Sequence, residues 1–98
     1  MPTEHWIIVG AGGHARVVMD AFLLGSSEPL MAAFADDDAL LWGTALLGCP
    51  VIGSSEAVVR SGARFHVAVG HNTTRRRLME RLCEAGGLPF DVVHPGSH

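Results

Sequence analysis

Trp6-Ile7-Ile8-Val9 is apolar without a break and stops at Gly10, which is too short for a helix and suits a strand buried on both faces. From His14 to Leu24 the period changes. Val17, Ala21 and Leu24 share one face with Val18 and Phe22 beside it, Arg16 and Asp20 stand one turn apart, and Gly25-Ser26-Ser27 ends the predicted helix. Leu30 to Ala35 reads as a second buried strand running into Asp36-Asp37-Asp38. Residues 39–50, with Trp42, Gly43, Gly48 and Pro50, show no clear period and are expected to form an irregular connection to a short strand at Val51-Ile52. In Gly53-Ser54-Ser55-Glu56 a serine cap and an early glutamate predict a short helix to about Arg60. Phe65 to Val69 is a further strand. Gly70-His71-Asn72-Thr73 then turns into a helix, capped by Asn72 or Thr73, whose Leu78, Leu82 and Ala85 form an apolar stripe closed by Gly86-Gly87. Phe90 to Val93 is the last predicted strand.

Strands alternating with helices at this spacing predict one α/β domain, a small open, doubly wound parallel sheet with right-handed crossovers. With the first strand central, the chain moves outward before returning to its other side at Phe65–Val69. The order then reverses between those two strands, and a ligand crevice is expected there.

Both loops at that point carry suggestive residues. Gly10-Ala11-Gly12-Gly13-His14-Ala15 has the GxGxxA form of a nucleotide-binding fingerprint, placed after a strand and opening a helix. Gly10 permits a tight turn, and Gly12 lets a diphosphate approach the backbone. Ala15 allows close helix packing, and the helix N-terminus favours an anion. Asp36, at the end of the second strand, stands where such domains place an acid on a ribose or base, whereas Asp37 and Asp38 individually read as residues of a solvated turn. On the facing loop, Gly70 and Asn72 are candidates, and Arg75 is expected to grip a phosphate with parallel hydrogen bonds. Successive helical residues diverge by ~100°, so only one of Arg75, Arg76 and Arg77 should be well aimed.

Composition narrows the chemistry. The 98 residues carry seven basic and ten acidic side chains, a formal charge of −3, which gives no global field for nucleic acid or an anionic membrane. All the basic residues are arginine, so lysine Schiff-base and Walker-type phosphate chemistry are excluded. Cys49 and Cys83 form no CxxC pair, which suits a reducing cytoplasm, and neither a signal peptide nor a membrane-length apolar run is present. The six histidines include no HExxH motif, and no metal site is expected. His14 and His71 lie on the crevice loops, His66 inside a strand. His14 reads as a binding residue, no GxSxG elbow or triad spacing exists, and no catalytic residue is assigned.

Read together, Gly10-Ala11-Gly12-Gly13-His14-Ala15-Arg16-Val17-Val18, Phe34-Ala35-Asp36-Asp37-Asp38, Gly48-Cys49-Pro50-Val51-Ile52-Gly53, Val67-Ala68-Val69-Gly70-His71-Asn72, Arg75-Arg76-Arg77-Leu78 and His94-Pro95 resemble the N-terminal domain of the NeuD/PglD-type sugar acyltransferases. That resemblance implies a Rossmann-like domain over residues 1–93 that binds a nucleotide-linked sugar or sialic acid. Residues 94–98 would begin the linker to a left-handed β-helix of hexapeptide repeats. It implies acetyl-CoA as co-substrate, with the catalytic histidine and homotrimer contacts in that second domain, so these 98 residues alone are expected to be inactive and to hold no cofactor. It places Gly12, Gly13 and His14 near the diphosphate and sugar, Asp36 and Asp37 toward ribose and base, and Gly70, Asn72 and Arg75 on the facing wall. His71 departs from the aspartate often found at its position. The alternative reading is an NAD(P)-binding domain of a redox or sensing protein, since the fingerprint and Asp36 suit the adenosine ribose equally.

Overall fold

The computed structural model describes residues 5–25 and 31–90. In chain order it runs β1 (His5–Val9), α1 (Gly13–Leu24), β2 (Met31–Ala35), a 3-10 turn at Ala39–Leu41, β3 (Ala45–Leu46), β4 (Cys49–Pro50), α2 (Ala57–Ser61), β5 (Arg64–Val67), α3 (Asn72–Glu84) and β6 (Leu88–Pro89). Four strands form one parallel sheet in the order β2-β1-β5-β6, with Ile7 opposite both Ala33 and Phe65. The predicted α/β fold and its reversal between β1 and β5 are therefore what the chain adopts.

The unbroken apolar character of β1 has a packing cause. Ile7 and Val9 face one helical layer, joining Phe65 and Val67 against Val58 of α2 and Leu82 of α3. Ile8 faces the other, with Phe34 and Ala68 against Ala15 and Met19 of α1 and Cys49 and Val51. Both faces are covered, so every position between Ile7 and Val9 is buried. Each large side chain so buried contributes about 1.5–3 kcal/mol, and Phe34 and Phe65 are fully enclosed.

Several elements depart from the sequence expectation. Residues 39–50 are ordered: β3 and β4 form an antiparallel hairpin, Leu46 opposite Cys49, turning through Leu47 and Gly48, both at positive φ as a two-residue hairpin turn requires. Val51 joins the sheet edge by a single parallel bridge to Phe34. α1 is rotated from its predicted face. Ala21 is buried and Val18 and Phe22 pack half-buried as expected, but Ala15 and Met19 are buried too whereas Val17 and Leu24 are exposed, because apolar residues occupy both sides of this helix and contact with Ile8 and Phe34 selects between them. α2 begins at Ala57 with Glu56 as its cap residue and no side-chain cap, Ser55 being engaged elsewhere. α3 is preceded by His71, not capped by Asn72 or Thr73, and its buried stripe is Leu78, Met79 and Leu82, with Ala85 exposed beyond the last turn. β6 pairs from Leu88, earlier than Phe90. Leu30, Ser26-Ser27, Asp91–Val93 and the expected linker 94–98 lie outside the described residues.

Candidate functional site

The β1–α1 and β5–α3 loops open side by side because β1 and β5 are neighbouring parallel strands. Gly10 locks the first loop. Its φ is +112°, its N–H donates to the Ala35 carbonyl at 2.6 Å, and a Cβ there would stand 2.9 Å from the Ala68 oxygen. This glycine is required by the close approach of two strand ends.

Gly12, Gly13 and Gly70 are different. A Cβ on any of them would meet nothing within 4 Å, and none has positive φ, so neither packing nor backbone strain asks for glycine at these exposed positions. Open backbone where nothing of the protein intrudes suits the approach of a ligand. Both adjoining helices also lack side-chain caps. α1 follows Gly12 and α3 follows His71, neither has an acidic residue in its first turn, and both leave N–H groups and the positive end of a helix dipole toward the crevice.

Between these termini lies a cleft of about 620 Å³ lined by His14, His66, Asn72, Arg75, Arg76 and Glu80, with Val67 and Met79. Arg75 reaches back along its helix to donate to Asn72 Oδ1 at 2.6 Å, which directs its guanidinium to the N-terminal end. Arg76 lines the cleft as well, so two of the three consecutive arginines serve it where one was expected. Of the sequence candidates, His14, Asn72 and Arg75 meet in this cleft. Gly10, Gly12, Gly13 and Gly70 belong to the adjoining β1–α1 and β5–α3 turns and do not line it, and neither do Asp36 and Asp37 at the end of β2.

Asp36 is half-buried and already occupied. Its Oδ2 accepts from the Ala11 N–H at 2.9 Å and its Oδ1 from the Asp38 N–H at 2.8 Å, tying the glycine-rich loop to the end of β2. Asp38 caps the 3-10 turn by accepting from Leu40 N–H at 3.0 Å, the local role the sequence suggested. Asp37 points elsewhere. Its Oδ1 accepts from both the N–H and the hydroxyl of buried Ser55 at 2.9 Å, while Arg81 donates to Ser55 Oγ at 2.8 Å and stands 3.8 Å from the Asp37 carboxylate. That arrangement links β2, α2 and α3. Asp37→Ala should leave two buried Ser55 donors without their acceptor and cost about 1–3 kcal/mol in chemical unfolding. Calorimetry with a nucleotide should show an affinity equal to wild type, and a matching loss of affinity would return Asp37 to the ligand.

His66, Arg76 and Glu80 line the cleft in addition to the residues expected from the sequence. His66 Nδ1 contacts the Phe90 carbonyl at 2.9 Å, an acceptor only, so a neutral ring carries its proton on Nδ1 and keeps the Nε2 lone pair free. One sequence signal was available: a polar residue interrupting an apolar strand. Cys49 is buried, and burial pushes its thiol pKa up, leaving a protonated, weakly nucleophilic group. Among the described residues no cluster of His, Cys, Asp and Glu could hold a metal ion, and no helix is long and apolar enough to cross a membrane.

The order of loops, sheet and glycines is matched in a known family: residues 6–82 fit the PglD N-terminal domain. The chain belongs to that family. Two solved structures are similar to this PglD N-terminal domain. The acetyltransferase domain of PglB from Neisseria gonorrhoeae FA1090 in complex with acetyl coenzyme A is 30% identical with a TM-score of 0.73, covering 96% of this chain and 45% of that one. The same PglB domain described without that complex is 29% identical with a TM-score of 0.72, covering 95% of this chain and 45% of that one. The present chain thus spans less than half the length of the structures it matches. No curated protein matches it. Membership of this family does not favour the alternative of a nicotinamide-dependent redox or sensing domain.

Proposed function

We propose that this PglD N-terminal domain holds the nucleotide-linked sugar acceptor of an acetyl-CoA-dependent sugar O- or N-acetyltransferase. The observation that carries this reading is the pair of uncapped helix N-termini, α1 and α3, meeting at one cleft beside glycines that the fold itself does not need. A diphosphate offers charge to both dipoles and to the fork of Arg75, and the sugar extends into the cleft between His14, His66 and Glu80. Placing the acetyl-donor function elsewhere fits a chain that covers 45% of an acetyltransferase domain solved with acetyl coenzyme A. Acetyl transfer needs a base on the acceptor and a site for the thioester, and both are assigned here to residues beyond these 98, in a hexapeptide-repeat domain that would also form a trimer.

Isothermal calorimetry with UDP-sugars, GDP-sugars, CMP and free sialic acid tests the reading. Saturable binding of a nucleotide sugar is expected, together with an unchanged NADH fluorescence signal and no CoA release above background by the 98-residue chain. Absence of binding to every member of the panel at millimolar concentration would overturn it, and turnover by this chain alone would overturn the division of labour.

A further inference from the structure

Trp42 is 46% exposed, yet its polar atom is already used. The indole Nε1–H donates to the Asp36 main-chain carbonyl at 2.6 Å, so what faces solvent is the carbon framework of the ring. Leaving so large an apolar surface in water is unfavourable, and the usual escape for an indole is to pack against another ring. The described aromatic pairs all join Trp6, Phe22, His66 and Phe90; Trp42 is in none of them.

The ring is also held in place before any ligand arrives. On one side Trp42 N–H donates to the Ala39 carbonyl, and on the other Gly43 N–H donates to the Val51 carbonyl and Thr44 to that of Leu41. Asp36 then joins this platform to the glycine-rich loop. Its carbonyl holds the indole while its carboxylate holds the Ala11 N–H at 2.9 Å. A single residue therefore connects the aromatic surface to the backbone at the start of α1.

We propose that the exposed indole of Trp42 is the surface on which the heteroaromatic base of the bound nucleotide stacks. This rests on the nucleotide-sugar reading above and adds an orientation to it. With the diphosphate at the α1 N-terminus and the ribose beside the end of β2, the base continues outward over the turn that follows β2, where Trp42 stands. The sugar, leaving the other end of the diphosphate, enters the cleft between α1 and α3. Stacking on an indole tolerates any base, so this surface sets affinity for the nucleotide more than the identity of its base.

The probes are UDP and inorganic pyrophosphate, titrated by calorimetry and by intrinsic tryptophan fluorescence against the wild-type chain, Trp42→Ala and Trp42→Phe. UDP should quench wild-type fluorescence. Trp42→Ala should bind UDP about tenfold more weakly, a typical loss for one base-stacking ring, while binding pyrophosphate as wild type does. Trp42→Phe keeps a ring face and loses the Nε1–H, so it should retain most of the UDP affinity even if the alanine variant folds poorly. Wild-type UDP affinity in Trp42→Ala overturns the inference alone, as does an equal loss for UDP and pyrophosphate, which would mean that Trp42 acts only by bracing Asp36. A change in self-association with UDP affinity intact would assign the ring, with exposed Leu40, Leu47 and Ile52, to a protein contact and also overturn it. If the wild-type chain binds no nucleotide of any kind, the functional reading fails and this inference falls with it.

Discussion

Gly10→Ala is expected to unfold the domain about 12–24 °C below wild type, read by circular dichroism during heating. Two costs add. The native φ of +112° lies in a region that side chains bearing a Cβ rarely enter, which costs about 1–3 kcal/mol. The new methyl would also sit 2.9 Å from the Ala68 carbonyl oxygen, and crowding of a packed interior costs a further ~1–3 kcal/mol. Neither cost is easily relaxed. The Gly10 N–H is bonded to the Ala35 carbonyl and the Ala68 N–H to the Val9 carbonyl, so moving either strand end breaks the pairing that holds β1 between β2 and β5. About 3 kcal/mol at a shift of roughly 4–8 °C per kcal/mol for a domain of this size gives the expected fall. An unchanged melting temperature would show that the loop can shift at little expense.

Gly12→Val, two residues along, is expected to do the reverse. Its backbone, at φ −84° and ψ −168°, is extended and open to a β-branched residue, and no heavy atom lies within 4 Å of the new Cβ. Valine is a poorer helix cap than glycine, so a loss of up to about 1 kcal/mol is expected and the domain should remain folded. Binding should suffer far more. The isopropyl group would occupy the space through which a phosphate reaches the first N–H groups of α1, and nucleotide-sugar affinity should fall at least about a hundredfold by calorimetry, close to 2.7 kcal/mol. Wild-type affinity in a folded Gly12→Val protein would remove the diphosphate from this helix end. Thus one loop should separate the two demands on glycine, with Gly10 serving the fold and Gly12 serving the ligand.

Asp36 shows why a motif residue and its task are separate questions. Its place at the end of β2 was readable from the fingerprint and the strand before it. That its carboxylate would spend one oxygen on Ala11 and the other on Asp38 was not, since the first of these bonds joins residues 25 positions apart. Asp37 depended on still more distant partners, Ser55 and Arg81, which only the packing of α2 and α3 brings to it.

Local chemistry by itself determined the alternation of strands and helices, the buried character of β1 and the glycine-rich turn at Gly10–Gly13. Each follows from short-range causes: an unbroken apolar run, a change of period, and residues able to make a tight turn. Strand order was legible for the same reason, because right-handed parallel crossovers leave few arrangements of so short a chain. The hairpin of β3 and β4 was not legible, since its strands are two residues each and its turn places Leu47 at a φ of 53°, where asparagine or glycine would have signalled it. The buried face of α1 was also undecided locally, because Val17 and Met19 are both apolar and only contact with Ile8 and Phe34 buries one and leaves the other in water. His66 reached the cleft by the same kind of decision: strand alternation turned it away from Phe65 and Val67, and the Phe90 carbonyl, brought in by the pairing of β5 with β6, then held its ring. Secondary structure obeyed nearest neighbours along the chain, whereas faces, partners and the contents of the cleft awaited neighbours that only the folded sheet supplies.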